Sequence, residues 1–111
     1  MCTRTYRRSV PGLSTHPDAE AEFLAAVAWY SERSPKTARR FLSLVRRTMQ
    51  SIAASPTHGV PFDHGTRRRV LKQFPFSVIY LEDDNEVTII AIAHARRRPS
   101  YWVDRIEPHG R

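Results

Sequence analysis

Between positions 17 and 56 the apolar residues recur at intervals of three and four, which is the period of an amphipathic helix. Two stripes follow one another: Ala19, Phe23, Ala26, Val27 and Tyr30, then Ala38, Phe41, Leu42, Val45, Met49 and Ile52. Ser34-Pro35 opens the second helix, and Ser55-Pro56 stops it. Because the link between the two stripes is short, the pattern predicts an antiparallel helical hairpin.

The start of the first helix carries signals of its own. Thr15 or His16 occupies the cap position and Pro17 the first turn. The acidic residues that follow are Asp18, Glu20 and Glu22. Their negative charge complements the positive end of the helix dipole, so the helix is predicted to begin near Pro17.

From Arg67 onward the pattern changes to the β-branched and aromatic content of strands. Three strands are predicted, at residues 67–73, 76–81 and 86–94, with a turn at residues 83–85. In the last strand one face carries Val87, Ile89, Ala91 and Ala93, and the other carries Thr88, Ile90, Ile92 and His94. Both faces are apolar as far as His94, so this strand is predicted to be central. Strands joined by short turns favour an antiparallel meander.

Two helices followed by strands predict an α+β fold, in which a small antiparallel β-sheet packs against an N-terminal α-helical hairpin. The length of 111 residues suits one domain. We assign residues 1–12 to a basic N-terminal arm that includes or precedes an edge strand, residues 13–106 to the domain, and residues 107–111 to a C-terminal tail. Pro11-Gly12 interrupts the arm, which predicts weak order there.

The chain is strongly basic, with 18 Lys and Arg against 11 Asp and Glu and a net charge of +7. Such an excess favours a polyanionic partner such as nucleic acid, anionic lipid or an acidic protein. The second helix carries no acid and these cations: Lys36, Arg39, Arg40, Arg46 and Arg47. We interpret most of them as a solvated outer face, with pairing to the acids of the first helix as the alternative.

Cysteine usage and the short motifs limit the classes of function. Cys2 is the only cysteine, which excludes a disulfide within the chain and fits a reducing cytoplasm. Neither a signal-peptide pattern nor an apolar run of transmembrane length is present. The glycines form no phosphate-binding loop, and His58, Asp63 and His64 lack further ligands nearby. The sequence therefore predicts no cofactor and no metal site.

The stretch from Ile89 to Ile106 concentrates basic and aromatic side chains that could bind a partner or catalyse a reaction. An apolar strand runs directly into His94, three arginines at 96–98, and Tyr101-Trp102. Cations and aromatic rings at the exit of a buried strand indicate a surface for a polyanion, a protein partner or phosphate chemistry. A second basic cluster lies at residues 67–72, and the two would converge if their strands are neighbours.

Five motifs, in a fixed order over about residues 13–106, carry a family resemblance. They are His16-Pro-Asp-Ala19, Ala38-Arg-Arg-Phe-Leu42, Ser55-Pro56…Gly59, Arg69-Val-Leu…Phe74-Pro75-Phe76…Ile79-Tyr80 and Ala91-Ile-Ala-His94-x-Arg96-Arg97-x-Pro99-x-Tyr101-Trp102. In this order they resemble the RelE/ParE family of toxins from bacterial type II toxin–antitoxin pairs. The resemblance implies the same α+β fold and a cognate antitoxin. That partner is expected to be small and acidic, with a segment that folds on the basic surface.

The resemblance also implies two alternative activities, because the family has two branches and each branch has its own activity. One branch cleaves messenger RNA on the ribosome without metal, and the other poisons DNA gyrase. Metal-free cleavage needs a base, an acid and cations beside the phosphate. For that alternative the candidates are His94 as base, Tyr101 as acid, and Arg69 and Arg97 on the phosphate.

The long paired helices look more like the gyrase-poisoning branch, so we favour a toxin that inhibits growth by binding a macromolecular target. Candidate contacts to the antitoxin or the target are Arg67, Arg68, Lys72, Arg96, Arg98 and Trp102. The mRNA endonuclease is the alternative, and a non-toxic basic nucleic-acid-binding module is the third hypothesis. The simpler roles are a hydrogen-bonded structural histidine for His94, and packing anchors for Tyr101 and Trp102.

Overall fold

Both helices begin at the prolines that the sequence indicates. In the computed structural model, which describes residues 7–10 (backbone only), 12–84 and 86–106, helix α1 spans Pro17–Arg33 and helix α2 spans Pro35–Ala54. His16 caps α1, because its Nδ1 accepts a hydrogen bond from the backbone N–H of Asp18 at 3.0 Å. Ser34 alone separates the helices, and its Oγ caps α2 by accepting from the N–H of Thr37 at 3.2 Å. No helix in this part of the chain is long and apolar enough to cross a membrane.

Six strands in the described part of the chain form one sheet. They are β1 (Arg7–Val10), β2 (Leu13–Thr15), β3 (Val60–Pro61), β4 (Arg67–Val70), β5 (Phe76–Asp83) and β6 (Glu86–His94), in the spatial order β1-β2-β6-β5-β4-β3. The predicted meander of β4, β5 and β6 is antiparallel. The predicted α+β fold, a sheet packed against the helical hairpin, is confirmed.

The sheet is mixed, because β2 pairs with β6 in the parallel direction. The chain leaves β2, runs through the helical hairpin and returns to the same sheet, and such a crossover places strands in parallel. The turn between β1 and β2 contains Gly12 at a φ of 81°, a conformation that favours glycine. Residues 1–6 of the predicted arm and the predicted tail at 107–111 lie outside the described residues.

Two strand boundaries differ from the prediction. Strand β4 ends at Val70 and not at Gln73, because Gln73 adopts a left-handed φ of 74° that cannot continue a strand. Strand β5 extends beyond Leu81 as far as Asp83.

A bulge in β6 changes which side chains face the helices. Ile79 pairs with Ala91 and Tyr80 pairs with Ile89, so Ile90 has no direct partner across the ladder. Val87, Ile89 and Ile92 therefore pack on the helix side, whereas Ile90 and Ala91 pack on the opposite side. The strict alternation predicted for this strand is wrong beyond Ile89, because the inserted residue shifts the phase by one.

Apolar clusters lie on both sides of the sheet. On the helix side the ring of Phe41 lies 5.1 to 5.3 Å from the rings of Tyr30, Phe74 and Phe76. On the outer side Trp102 is only 2% exposed and packs with Ile79, Ile90 and Ala91. The segment after β6 thus covers the outer face, which explains why β6 is apolar on both faces.

The hydroxyl of Tyr80 is expected to stabilise the connection between α2 and β3. This buried hydroxyl donates to the carbonyl of Pro56 at 2.6 Å and accepts from the N–H of Gly59 at 3.0 Å. Tyr80→Phe leaves both groups without that partner and should lower the free energy of unfolding by about 1–3 kcal/mol. Urea denaturation measures the change. Tyr30→Phe is the matched control, since no hydrogen bond is seen at that hydroxyl among the described residues; an equal loss in both variants would contradict the assignment.

Candidate functional site

A carboxylate on α1 joins three segments of the chain. Oε1 of Glu22 accepts hydrogen bonds from the backbone N–H of Ile92 and from Nη1 of Arg105, both at 3.0 Å. Oε2 accepts from the hydroxyl of Tyr101 at 2.6 Å and from Nη2 of Arg105 at 2.9 Å. The side chains of Glu22 and Arg105 are 16% and 14% exposed. This Glu22 network therefore ties α1 to β6 and to the segment that follows β6.

Arg105 also satisfies the backbone at the bulge. Its Nη1 donates to the carbonyl of Ile90, the bulge residue, at 3.1 Å. Its Nε lies 3.9 Å from Asp18 at the start of α1. Sequence reasoning did not identify either Glu22 or Arg105 as a site residue. The sequence did contain one signal for Glu22. It lies three residues after Ala19 and four before Ala26, on the apolar stripe of α1, where an acidic side chain needs a partner inside the fold.

The network holds the hydroxyl proton of Tyr101. Burial raises the pKa of Tyr101 well above its ordinary value, and the hydrogen bond to Glu22 and its negative charge raise it further. Arg105 and Arg97 oppose the shift but do not cancel it. At neutral pH this hydroxyl is therefore a hydrogen-bond donor committed to Glu22.

This shift predicts a loss of stability in alkali. In the unfolded chain tyrosine ionises near pH 10, whereas Tyr101 in the folded chain keeps its proton to higher pH. The folded state then binds more protons, so its free energy of unfolding falls as the pH rises above about 10. We expect the urea midpoint to fall between about pH 9 and pH 11, and to fall less steeply in Tyr101→Phe. Equal slopes for the two proteins would contradict the role of Tyr101.

An apolar groove lies between α1 and the end of the sheet, beside the Glu22 network. Its volume is about 420 Å³. We call it the α1–β6 groove; its lining includes Ala25, Ala26, Trp29, Tyr30, Phe76 and Ile92. Trp29 is 53% exposed, and the guanidinium of Arg33 stacks 3.7 Å from the centre of its ring. A large exposed aromatic ring with a stacked arginine is typical of a protein-binding surface.

Three of the four candidate catalytic residues line this groove. They are His94, Arg97 and Tyr101. The guanidinium of Arg97 lies 3.8 Å from the ring centre of Tyr101 and 3.9 Å from Oε2 of Glu22. The fourth, Arg69, lies elsewhere, against α2, where Nη1 and Nη2 both donate to Oγ of Ser51 at 3.3 Å. The convergence expected for the nuclease alternative is therefore partial.

The geometry at His94 and Tyr101 suits binding better than proton transfer. The half-buried ring of His94 packs edge-on against Phe76 at 5.0 Å, and its Nδ1 accepts from the N–H of Arg96 at 3.0 Å. Because Nδ1 accepts, the neutral ring carries its proton on Nε2 and offers no free lone pair for a base. The proton of Tyr101 is held by Glu22, as described above. The catalytic roles of these residues stay predictions.

The candidate contact residues of β4 divide between the two faces of the sheet. Arg67, on the helix side, donates to the carbonyl of Gly59 at 2.9 Å and lies 3.8 Å from Glu82. Arg68 lies on the outer side with its guanidinium 4.3 Å from the ring centre of Phe62. Its Nε is the one buried side-chain polar atom without a partner among the described residues.

The outer side also holds the other candidate contacts after β6. Arg68, Arg98 and Trp102 line a common cleft of about 230 Å³, so the two basic clusters meet there in part. The side chains of Arg96 and Arg98 are exposed. Trp102 is buried, which suits the anchoring role and leaves little of the indole for a partner. Within the described ranges no group of three His, Cys, Asp or Glu side chains could hold a metal ion.

A third concave surface is formed by α2 and the turn between β4 and β5. We call it the α2 groove, and its volume is about 550 Å³. Its exposed cations are Lys36, Arg39, Arg40, Arg47 and Lys72. Leu44 and Phe74 form its apolar floor. Lys72, a candidate contact residue, thus lies apart from Arg68 and Arg98.

Comparison with known proteins relates this fold to one family. Residues 13–99 match the family model described as the ParE toxin of the type II toxin–antitoxin system parDE. A solved structure titled as the chromosomal ParDE toxin–antitoxin system from P. aeruginosa has a similar fold, with a TM-score of 0.67 and 21% sequence identity. The similarity covers 77% of this chain and 96% of that chain. Among curated proteins no match is found.

Proposed function

Because the chain belongs to the ParE toxin family of type II toxin–antitoxin systems, we propose that it arrests growth by binding DNA gyrase in the cytoplasm. An acidic antitoxin, which is the expected partner of such a toxin, neutralises it. The chemistry is binding and not cleavage. The α1–β6 groove supports the antitoxin part of this proposal, and the long paired helices, which resemble those of the gyrase-poisoning branch, support the target.

The groove offers what a folding peptide segment needs. Trp29 supplies an exposed aromatic anchor, and the ring of Tyr30 lies 5.2 Å from it in an edge-on arrangement. Arg33 and Arg97 stand at the groove with half-exposed side chains. Aromatic and arginine side chains carry most of the energy in protein interfaces. Acidic residues of the antitoxin would pair with the two arginines while its apolar residues fill the groove.

The state of the polar residues supports inhibition by binding over RNA cleavage. Nδ1 of His94 is occupied by the N–H of Arg96, and the hydroxyl of Tyr101 is occupied by Glu22. Arg69 is the fourth candidate of the nuclease alternative. It lies away from the groove and donates to Oγ of Ser51. His94, Arg97 and Tyr101 line one groove, but the candidate base and the candidate acid are both engaged by other groups of the chain, which favours binding over cleavage.

Induced expression tests the proposal. We expect growth arrest, with accumulation of covalent gyrase–DNA cleavage complexes and intact messenger RNA. Co-expression of the proposed acidic antitoxin should restore growth. Codon-phased cuts in mRNA in a translating extract would instead establish the nuclease. Normal growth without a partner would favour the non-toxic nucleic-acid-binding module.

A variant at the groove separates antitoxin binding from folding. Trp29→Ala should weaken the complex with the proposed acidic antitoxin by about 30-fold or more, because a central tryptophan contributes about 2 kcal/mol or more to such interfaces. Its thermal stability should be nearly unchanged, because the side chain is half exposed. Isothermal titration calorimetry gives the dissociation constant.

The matched control is Leu24→Ala. Leu24 is an apolar α1 residue of similar exposure, 57%, and it does not line the groove. Its replacement should leave the affinity within about threefold. If Leu24→Ala weakens the complex as much as Trp29→Ala does, the antitoxin binds another face of α1.

A further inference from the structure

Five cations from two separate elements converge on the α2 groove. Lys36, Arg39, Arg40 and Arg47 come from α2, and Lys72 comes from the turn between β4 and β5. Helix α2 contains no acidic residue to offset them. Like charges gathered on one concave surface repel each other and raise the local positive potential.

Four arginines outside the α2 groove have a carboxylate nearby, whereas none of the groove's five cations has one among the described residues. Arg33, Arg67, Arg97 and Arg105 each lie within 4 Å of a carboxylate. For the five cations of the α2 groove, no ion pair is found with any described residue. The sequence left open that the acids of α1 pair with the cations of α2, but such pairs are not found among the described residues. Asp18 and Glu22 pair with Arg105, and Glu32 pairs with Arg33 of its own helix. This groove is therefore left with uncompensated positive charge.

We propose that the α2 groove binds the phosphate backbone of duplex DNA. Three of its five cations are arginines, whose planar guanidinium donates two parallel hydrogen bonds to phosphate. From Lys36 to Arg47 the helix rises about 16 Å, a length over which one DNA strand carries about five phosphates. The four cations of α2 thus span a length comparable with about five phosphates of one strand, and Lys72 adds a fifth cation from the turn beside them.

The lining of the groove distinguishes this partner from a peptide or a single strand. A peptide interface needs exposed apolar anchors, but Phe74 is only 9% exposed and Leu44 is half-buried. Single strands are held by stacking on exposed aromatic rings, and Phe74 is the only aromatic residue among the described residues that line the groove. The exposed aromatic anchor belongs to the α1–β6 groove instead. Phosphate contacts are what the α2 groove can make.

Duplex DNA fits better than duplex RNA because the cations stand on a helix. The major groove of B-DNA is about 12 Å wide and admits an α-helix, so α2 can approach the backbone from the groove side. The major groove of A-form RNA is too narrow for this approach. The contacts are to phosphate and carry no base specificity. The inference goes beyond the proposed function and does not depend on gyrase being the target.

The test is a titration of the full chain against a fluorescein-labelled 20-base-pair DNA of mixed sequence, followed by fluorescence anisotropy. The variant Arg39→Gln/Arg40→Gln/Arg47→Gln should weaken binding by about 100-fold at 100 mM KCl. Between 50 and 200 mM KCl, the slope of log K against log salt should be shallower by about 2.7, or about 0.9 for each phosphate that is no longer neutralised. Circular dichroism checks that the variant is folded.

The control removes the same charge outside the α2 groove, as Arg46→Gln/Arg96→Gln/Arg98→Gln. It should bind the duplex within about threefold of the wild-type protein, because none of these three side chains lines the α2 groove or is placed to contact the bound phosphates. Equal weakening of both triple variants would overturn the proposal, as would tighter binding of a duplex RNA of the same sequence. If the groove variant binds DNA normally but no longer binds the acidic antitoxin, the groove is an antitoxin site and the proposal is wrong. Gyrase inhibition is measured separately, so the two proposals fail independently.

Discussion

Replacement of Glu22 by alanine is expected to lower the free energy of unfolding by about 3–5 kcal/mol. The variant loses the hydrogen bonds that the carboxylate accepts from Ile92, Tyr101 and Arg105. It also leaves the guanidinium of Arg105, 14% exposed, without its main counter-charge. A buried charge that loses its partner costs far more than an exposed one. Urea denaturation at neutral pH measures the change.

Glu32→Ala provides the matched control on the same helix. Glu32 is largely exposed and pairs only with Arg33, at 3.6 Å, among the described residues, so its removal should cost less than about 1 kcal/mol. If the two variants lose similar stability, the Glu22 network does not hold α1 to the sheet. Glu22→Ala should also loosen Arg97 and Tyr101, because both contact that carboxylate beside the α1–β6 groove.

Trp102→Ala is expected to have an effect of similar size, about 3–5 kcal/mol. The indole is 2% exposed and covers Ile79, Ile90 and Ala91 on the outer face of the sheet. Its removal opens a cavity beside Phe62, whose ring lies 6.2 Å from that of Trp102. The expected result is a large fall in the urea midpoint.

The same substitution at Trp29 should have little effect on stability, because that ring is half exposed. The two tryptophans thus have different roles. Trp102→Ala should reduce stability, whereas Trp29→Ala should reduce the affinity for the antitoxin. A Trp102→Ala protein with nearly normal stability would show that the segment after β6 is not anchored by this residue.

The Glu22 network also explains how the fold builds its apolar groove. It fixes α1 against the end of β6 through a backbone N–H and two side chains after that strand. The groove lies beside this junction, so its shape depends on the junction. The α2 groove is on the other helix and is independent of the network, which lets one small chain present an apolar and a basic surface.

The helices, the meander and the family are all encoded in short-range patterns of the chain. Caps at His16 and Ser34, the prolines that follow them, and the apolar period of 3.6 act within a few residues of each position. The helix starts and the bounds of β6 could therefore be predicted closely. The motif order over about residues 13–106 indicated the family for the same reason, since it can be seen along the chain, and the family model matches residues 13–99.

Which side chains meet depends instead on how distant segments pack. The bulge at Ile90 follows from the register between β5 and β6, and it shifts Ile92 to the helix side. Glu22 meets Arg105 across 83 positions of sequence, so no local pattern could assign it to a site.

The same holds for the basic residues of β4 and the turn after it. Arg68 shares a cleft with Arg98, while Arg69 and Lys72 do not, because neighbouring strand residues face opposite sides and β4 ends early. Interactions between residues close in the sequence determine the helices and strands of this protein, whereas contacts between distant segments determine its grooves and clefts. Those contacts depend on strand register and packing, which the linear pattern does not contain.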